Sequence, residues 1–578
     1  MIETNNDMET TKGQKKRKRN KNPLSQARGK QNKHENVWFR RSNAGYSLFV
    51  QYYMNQPIGT ISSAEGVKSG DATSSKEEGH KIGPKTGEGM QPKSGGGNSR
   101  AAKRRNKKKK GGKIQNTNSK TVDESALAVM TTDSSPTEVS SPPSLLESAY
   151  SKFEMLDDSP CHRNNVEFQS FLKAFSQPLP LSFRMRQFET ASERRQMDNE
   201  VAEEVLAEFS DLVEAVQFGN TTLYRSKNRP SDVLCKENLS RISPDLKEFL
   251  QENSQNGVLA RQEIGSMLPV VALHDVGAIR VGAKVLDVCA SPGSKTLQAL
   301  EIVGQNGRVV ANDVSENRLI TLRQALGRSG VSSSLLKRLH FSCQDGSRLQ
   351  APVTKSKSSG EKSKLKFDAV LCDVPCSGDG TCRKDKHILP MWKPNCGNDL
   401  HDLQLRILIR ALQLVEVGGV VCYSTCTLNP IEDEAVVAAA LSTIQASKDS
   451  KDGTKKKRPS PIVELLDWPS LPGDLVRRQG ISSWKVAEFR ADDQGDSSEG
   501  EIDIDDAEDI PKITWHDSYA SATSQPPTCT ISPTMWPPSN ESSKDLHLEK
   551  CMRLWPQDRD TGGFFLALIK KNRDFKLK

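Results

Sequence analysis

Hydrophobic residues recur with the periods of helices and strands in one region of the chain and are sparse elsewhere. Short apolar runs, typical of buried strands, occur at residues 284–288, 308–312, 367–372 and 419–423. Helical patterns follow the first two runs, at about 295–302 and 316–326. Strands that alternate with helices at this spacing predict a parallel sheet covered by helices on both faces. A final apolar run at 562–569 predicts one more strand.

Helical spacing also predicts elements ahead of this α/β region. Apolar residues recur every three or four positions at 166–175 and again over roughly 192–217. Further upstream, residues 46–54 are too rich in large side chains to be a linker, which predicts an ordered segment within 37–60. We therefore expect an N-terminal helical and mixed region over 161–265, followed by the α/β domain over 266–578.

The remaining stretches are too poor in apolar residues to offset the chain entropy lost on folding. Residues 1–36 form a basic tail, and residues 61–160 form a Lys/Ser/Gly-rich insertion. Inside the α/β domain, three polar or acidic insertions stand out, at 354–364, 447–459 and 492–509. We predict that all of these segments are disordered.

Charge and composition restrict the partners and the cellular compartments that we expect for the protein. The 578 residues carry a net charge of +9, with basic runs at 12–19 and 103–110. Clustered Lys and Arg displace counterions from nucleic acid, and they also serve as nuclear-import signals. We therefore expect RNA as a partner, and the nucleus, including the nucleolus, as the location. No apolar stretch approaches 18 residues, so no membrane span is expected. The twelve cysteines are not spaced as a disulfide framework, and we expect free thiols.

The turn after the first predicted strand is a candidate cofactor site. It lacks the glycines of a P-loop and of a dinucleotide-binding turn. Its one glycine allows close backbone approach at a helix N-terminus, which suits the carboxylate of a methionine tail. Acidic residues follow the next two strands, where they would meet the ribose and the adenine amino group of a nucleoside. This pattern favours S-adenosylmethionine, held by Cys289, Ala290, Ser291, Pro292, Gly293, Ser294, Lys295, Asp313 and Asp345.

Two cysteines lie in polar turns directly after strands. They are Cys376, within Asp-Val-Pro-Cys-Ser-Gly-Asp-Gly, and Cys426. Cys289, Cys372 and Cys422 instead lie in or beside apolar strands, where cysteine is usually a small buried hydrophobe. Helix-start signals at Asn429, Pro430 and Glu432 predict that Cys426 lies near a helix N-terminus, which would lower its pKa. No Cys-x-x-Cys or His–His pair accompanies these residues, so no metal is expected.

A thiolate can activate a pyrimidine for methylation. Addition to C6 makes C5 nucleophilic, so that C5 can attack a sulfonium methyl group, and loss of the C5 proton then expels the thiolate. Asp373, beside Cys376, is the candidate for binding the cytosine edge at N3.

Three motifs resemble those of the RsmB and Nop/Sun family of RNA cytosine-5 methyltransferases. They are Cys-Ala-Ser-Pro-Gly-Ser-Lys from 289, Asp-Val-Pro-Cys-Ser-Gly-Asp-Gly-Thr from 373, and Tyr-Ser-Thr-Cys-Thr-Leu-Asn-Pro-Ile-Glu-Asp-Glu from 423. The similarity covers about 165–445 and returns at 551–571, and it is greatest to the eukaryotic tRNA-methylating branch. The aromatic segment 46–54 resembles the leading helix of the family, within 37–60, displaced by a long insertion.

The resemblance implies a class I, Rossmann-like S-adenosylmethionine-dependent methyltransferase fold and an RNA substrate, tRNA before rRNA. It also implies that Cys426 is the nucleophile, that Cys376 assists release, and that Asp373 lies between cofactor and base. Two alternatives remain at this point. In a DNA-type cytosine methyltransferase Cys376 would attack, and a non-catalytic RNA-binding assembly factor would keep only the fold.

Overall fold

A computed structural model describes the parts of the chain that carry its helices and strands. These are residues 44–57, 146–147, 149–150, 166–186, 192–219, 221–227, 233–355, 362–446, 461–469, 475–490, 512–539 and 545–577. All of them belong to one compact unit. The predicted basic tail, both basic runs and the insertions at 447–459 and 492–509 lie outside the described residues.

The first part of the described chain holds a small antiparallel sheet and five helices. In chain order, the elements are α1 (Ala44–Met54), α2 (Val166–Ser176), β1 (Ser182–Met185), α3 (Ser192–Phe209), β2 (Val213–Phe218), β3 (Thr221–Ser226), α4 (Leu239–Ile242), α5 (Pro244–Gln255) and β4 (Leu259–Arg261). The strand order is β2-β3-β1-β4, with every neighbouring pair antiparallel.

The helix predicted over 192–217 ends earlier than its apolar pattern indicated. Residues 213–218 are a strand instead, and they pair along their whole length with β3. The segment is rich in residues that favour strands, and pairing with a neighbouring strand overrides a weak helical pattern.

The second part is built on a nine-stranded mixed sheet. In chain order, the elements of this second part of the chain are α6 (Ile264–Asp275), β5 (Lys284–Asp287), α7 (Ser294–Ile302), β6 (Arg308–Asp313), α8 (Glu316–Arg328), α9 (Ser333–Leu336), β7 (Leu339–Cys343), β8 (Val353–Lys355), β9 (Lys362–Lys364), β10 (Phe367–Asp373), α10 (Asn395–Leu414), β11 (Val415–Thr425), α11 (Glu434–Ala446), β12 (Val463–Leu465), β13 (Arg478–Gln479), β14 (Val486–Phe489), β15 (Ile513–His516), α12 (Tyr519–Ala522), β16 (Met552–Leu554), α13 (Pro556–Arg559) and β17 (Phe564–Lys571).

The strand order of the large sheet is β13-β16-β17-β11-β10-β5-β6-β7, with β12 also paired to β17. Strands β11, β10, β5, β6 and β7 run parallel, as the alternating pattern predicted. The closing strand β17 lies antiparallel to β11, so the sheet is mixed rather than wholly parallel. The predicted α/β, Rossmann-like fold is confirmed.

Helices cover both faces of this sheet, and successive strand residues alternate between two cores. Leu286 of β5 packs in the core that contains α10 and α11, whereas its neighbour Val285 packs in the core that contains α6, α7 and α8. A strand buried on both faces is continuously apolar, which explains the short apolar runs in the sequence. Within the described residues, no helix combines the length and the apolar character that a bilayer span needs.

Two segments predicted to be disordered contain ordered residues. Leu146, Ala149 and Tyr150 are helical and buried against α1 and α2, inside the insertion predicted over 61–160. Tyr150 packs on Phe168 with ring centroids 5.9 Å apart, so tertiary contacts order a stretch that is polar overall. The insertion predicted at 354–364 begins and ends in the antiparallel ribbon β8–β9.

Candidate active site

The predicted functional residues gather at one edge of the large sheet. Parallel strands present their carboxyl ends on the same side, which is where open α/β sheets bind ligands. Strands β5, β6, β7, β10 and β11 end at this edge, and the residues that follow them are the turn 288–293, Asp313, Asp345, Asp373, Cys376 and Cys426.

The turn between β5 and α7 depends on Gly293. Its φ is +112°, a left-handed conformation that only glycine adopts readily. A Cβ at this position would lie 2.1 Å from Cδ1 of Leu322, so the Leu322 side chain on α8 would have to move. The helix begins at Ser294, and the first N–H groups of a helix have no partner within it. The turn therefore presents backbone donors at the edge of the sheet.

Asp313, at the end of β6, already holds several donors. Its two carboxylate oxygens accept from the Arg318 Nε at 3.0 and 2.9 Å. They also accept from the backbone N–H groups of Ser291 at 3.3 Å and Ser315 at 3.2 Å. Arg318, which the sequence pattern did not single out, also donates to the Ser291 carbonyl at 3.0 Å and thus ties the turn to Asp313.

Asp345, at the end of β7, caps a short 3₁₀ turn. One of its carboxylate oxygens accepts from the backbone N–H of Ser347 at 2.9 Å and from that residue's hydroxyl at 2.8 Å. Asp345 is half-buried at the same edge as Asp313. The α7 N-terminus and these two carboxylates occupy the ends of three adjacent strands, a donor and acceptor set that fits a nucleoside with an amino-acid tail.

Lys295 and Asp373 form an ion pair at the centre of the edge. The Lys295 Nζ lies 3.0 Å from the Asp373 Oδ2 and 3.0 Å from the Ser266 Oγ. The Ser424 hydroxyl donates to the other oxygen of Asp373 at 2.7 Å. Burial lowers the pKa of Lys295, but the charges of Asp373 and Cys426 outweigh burial, and the net shift is upward. A persistent cation therefore lies close to both Asp373 and Cys426.

The two predicted cysteines lie side by side. The Sγ atoms of Cys376 and Cys426 are 3.4 Å apart, although the residues are 50 positions apart in the chain. Both are half-buried free thiols, in the turns that follow β10 and β11. A hydrogen bond to Cys426 and burial raise the pKa of Cys376 well above its ordinary value. The Cys376 thiol therefore resists the loss of its proton.

The segment after Cys426 differs from the predicted helix start. Helix α11 begins at Glu434, so Asn429 is not its N-cap and Pro430 is not its first residue, as the sequence pattern had predicted. The side chain of Asn429 accepts from the backbone N–H of Ile431 at 3.1 Å and makes a local turn. Short polar side chains commonly form such turns in place of a helix cap.

Glu432, predicted to complete a capping box, reaches across to the other cysteine loop. Its carboxylate accepts from the Ser377 N–H at 2.8 Å and from the Gln404 side chain at 3.0 Å. Burial, followed by the charge of Asp379, raises the pKa of Glu432 to about 7. Ser377 and Gln404 are distant from Glu432 in sequence, so spacing alone could not predict that Glu432 connects the two cysteine loops.

The other cysteines of this region occupy the positions predicted for them. Cys372 and Cys422 are fully buried within β10 and β11, and Cys289 is half-buried in the turn after β5. Within the described ranges, no cluster of three or more His, Cys, Asp or Glu side chains could hold a metal ion.

Comparison with known proteins identifies relatives. The family model for 16S rRNA methyltransferase RsmB/F matches residues 278–461. The multisite-specific tRNA:(cytosine-C(5))-methyltransferase trm4b of Schizosaccharomyces pombe is 32% identical over 437 residues, which are 70% of this chain and 56% of the relative. The tRNA (cytosine(34)-C(5))-methyltransferase of Drosophila melanogaster is 33% identical over 434 residues, or 71% and 51%. The chain thus spans about half the length of these curated relatives.

Among solved structures, NSun6 from Pyrococcus horikoshii with SFG matches with a TM-score of 0.42 and 15% identity, over 71% of this chain and 96% of that chain. The matched residues 278–461 contain the cofactor turn, Asp373 and both cysteines. Residues 278–461 therefore match the RsmB/F methyltransferase domain, and eukaryotic tRNA cytosine-C5 methyltransferases are among the relatives of the chain.

Proposed function

We propose that the protein is an S-adenosylmethionine-dependent RNA (cytosine-5) methyltransferase that acts on tRNA. The observation that carries the proposal is the pair of thiols, with sulfur atoms 3.4 Å apart, beside the Lys295–Asp373 ion pair. A protein that served only as a scaffold would need neither the paired thiols nor the ion pair. The names of the two curated relatives favour tRNA as the substrate class.

The donor set at the ends of β5, β6 and β7 fits the cofactor. The turn from Cys289 to Gly293, with Ser294 and Lys295 at the start of α7, would hold the methionine tail, whose carboxylate suits a helix N-terminus. Asp313 would hold the ribose, and Asp345 would hold the adenine edge. When bound, S-adenosylmethionine supplies an electrophilic methyl group.

The residues of the chain would then activate the cytosine. The thiolate of Cys426 adds to C6, and the C6–S bond converts C5 into an enamine carbon that can accept the methyl group. Asp373, held in place by Lys295 and Ser424, would bind the cytosine edge at N3 through a shared proton, and this proton offsets the negative charge that develops at N3 when the thiolate adds to C6. A base such as water takes the C5 proton, the electrons of the C5–H bond form the C5–C6 double bond again, and the C6–S bond breaks so that the thiolate leaves. The target base must leave its stack to reach this site.

The charges around the cysteines favour Cys426 as the nucleophile. Cys426 contributes to the raised pKa of Lys295, so an ammonium group is close enough to stabilise a thiolate at Cys426. Cys376 has its pKa raised by its hydrogen bond to Cys426 and by burial. Cys376 is therefore suited to donate its S–H to the sulfur of Cys426, and later to assist the departure of that sulfur from C6.

Single substitutions separate the two cysteines. We expect Cys426→Ala to transfer no methyl group and to form no covalent complex with tRNA. Cys376→Ala should add to the base but fail to release it, so a denaturant-resistant protein–RNA adduct should accumulate. The measurement is denaturing electrophoresis with labelled tRNA and S-adenosylmethionine, together with bisulfite mapping of the product.

Two outcomes would contradict the assignment. An adduct with Cys426→Ala but not with Cys376→Ala would favour DNA-type chemistry, in which Cys376 attacks. Absence of methyl transfer by the wild-type chain to tRNA and to rRNA alike would favour a non-catalytic RNA-binding assembly factor. Transfer to rRNA alone would keep the chemistry and change the substrate.

A further inference from the structure

Helix α1 lies inside the catalytic part of the molecule, although the chain between it and α2 is more than 100 residues long. Tyr52 and Tyr53 are 1% and 2% exposed. Their rings pack against Trp392, which lies between the two cysteine segments in the sequence, at centroid distances of 5.3 and 5.8 Å. Packing alone would give these tyrosines a structural role, but their hydroxyl groups point to a more specific one.

The Tyr53 hydroxyl bonds to a carboxylate that joins the two cysteine loops. It donates to the Oδ2 of Asp379, which lies three residues after Cys376. The Oδ1 of Asp379 accepts from the backbone N–H of Leu428 at 2.9 Å, two residues after Cys426. Asp379 is fully buried and also accepts from the Trp392 indole N–H at 3.1 Å. One carboxylate therefore connects α1 to both loops.

The Tyr52 hydroxyl makes a second connection. It donates to the Oδ1 of Asn429 at 2.7 Å, three residues after Cys426. The Asn429 side-chain amide donates to Glu432 at 3.3 Å, and Glu432 in turn accepts from the backbone N–H of Ser377, next to Cys376. The two tyrosines thus belong to separate hydrogen-bond chains, and each chain runs from α1 through one cysteine loop to the other.

These bonds bear on the distance between the sulfur atoms. A buried carboxylate is costly unless hydrogen bonds satisfy it, so Asp379 keeps its position only while its donors keep theirs. A further contact makes the loops close-packed: Gly380 donates to the Cys426 carbonyl at 3.0 Å, and a Cβ at Gly380 would lie 2.3 Å from the Gly563 carbonyl oxygen. A shift of Asp379 would therefore move Cys376 relative to Cys426.

Resting on the function proposed above, we propose that Tyr53, through Asp379, and Tyr52, through Asn429, are positioning residues of methyl transfer, which hold the two cysteine loops in register. On this view, α1 is part of the active site without touching the base or the cofactor. Its hydroxyl groups set the geometry in which Cys426 attacks and Cys376 assists release.

The test removes single hydroxyl groups and keeps the rings. The variants are Tyr53→Phe and Tyr52→Phe, with Tyr46→Phe as the matched control. Tyr46 is on the same helix and 4% exposed, and in the described part of the chain no hydrogen bond joins its hydroxyl to either cysteine loop. Each variant is also made in the Cys376→Ala background, where the rate of adduct formation reports the attack of Cys426 directly.

We expect Tyr53→Phe to lower kcat about tenfold to a hundredfold, since small displacements of reacting groups cost this much. The KM values for tRNA and S-adenosylmethionine should stay near those of the wild type. Adduct formation in the Cys376→Ala background should slow by a similar factor. Tyr52→Phe should act in the same direction, and Tyr46→Phe should match the wild type in both assays.

Assays run well below each variant's melting temperature separate positioning from unfolding. If Tyr53→Phe and Tyr52→Phe form adduct and turn over as fast as Tyr46→Phe, the inference is wrong while the proposed function stands. If Tyr53→Phe is too unstable to assay, Asp379→Asn gives the same test, because it weakens the carboxylate link and leaves every ring in place. A wild-type chain that methylates no RNA overturns the proposed function, and this inference with it.

Discussion

At the scale of single residues, burial controls the protonation of the acids beneath the site. Asp287 ends β5, is 1% exposed and accepts from the Thr296 hydroxyl at 2.6 Å, while its other oxygen has no hydrogen-bond partner among the residues that the structure describes. Burial raises its pKa to about 7, and the hydrogen bond from Thr296 opposes the rise. The folded protein therefore binds a proton here over a pH range in which the unfolded chain, with an ordinary carboxyl, has lost it.

The sign of the pH effect follows. Between an unfolded pKa near 4 and a folded pKa near 7, the folded state binds more protons, so the contribution of Asp287 to stability falls as pH rises. The variant Asp287→Asn cannot lose this proton. We expect it to gain about 2 kcal/mol of stability relative to the wild type between pH 5.5 and pH 8. Urea unfolding at the two pH values measures the difference, and a constant difference would show that Asp287 is ionised in the folded state at both.

Most of the site residues could be predicted from residue types in short sequence motifs. Cys376, Cys426, Asp373 and the turn 289–295 were predicted from their positions after strands, and the fold brings them to one edge. Arg318, Ser424, Asp379 and the two tyrosines were not singled out. Each acts through a partner that is close in space but not in a recognisable sequence pattern, and side-chain networks of this kind depend on tertiary packing.

At the scale of elements, α1 behaves as a core helix supplied from a distant part of the chain. Phe49 is fully buried, and its ring centroid lies 4.6 Å from Tyr53, 5.1 Å from Phe175 and 5.3 Å from Trp392. These partners lie on three different segments. The resemblance to the family predicted this helix, but nothing in the sequence indicates what it packs against.

A large-to-small substitution tests this packing. We expect Phe49→Ala to destabilise the protein by about 3–5 kcal/mol, the usual cost of removing a buried phenylalanine ring. The matched control is Val166→Ala, at an exposed position of α2 (70% exposed), which should change stability by no more than about 0.5 kcal/mol. Thermal or urea unfolding of the full chain measures both. An equal, small effect of the two substitutions would show that α1 is not part of the cooperative core.

Element boundaries were less predictable than the elements themselves. The helix predicted over 192–217 ends at Phe209, and the helix predicted to start near Asn429 starts at Glu434. In both places, interactions with residues distant in sequence override the local helix propensity. Residues 213–218 pair with β3, and Glu432 accepts hydrogen bonds from Ser377 and Gln404. The parallel strands of the large sheet, in contrast, lie where the apolar runs placed them, because burial on both faces leaves a strong pattern.

At the scale of the whole molecule, the positive charge is concentrated outside the catalytic fold. Residues 1–36 contain ten Lys and Arg and four Asp and Glu, so they contribute six of the nine net positive charges of the chain. The tail was interpreted as an RNA-binding or nuclear-import segment. Neither function requires contact with the active site, so the catalytic step should not depend on the tail.

Deletion of residues 1–36 tests this separation. Lys and Arg that neutralise phosphates release counterions, so binding that uses the tail weakens steeply with salt. We expect the shortened chain to keep the melting temperature and the kcat of the full chain, to have a higher KM for tRNA at physiological salt, and to lose affinity less steeply as salt increases. Filter binding over a salt series, with methyl transfer measured in parallel, follows all three quantities. If the KM for tRNA and the salt dependence of binding match those of the full chain, the tail does not bind the substrate, and nuclear import by the run at 12–19 is the role that remains. A lower kcat at saturating tRNA would instead show that the tail contributes to the catalytic step.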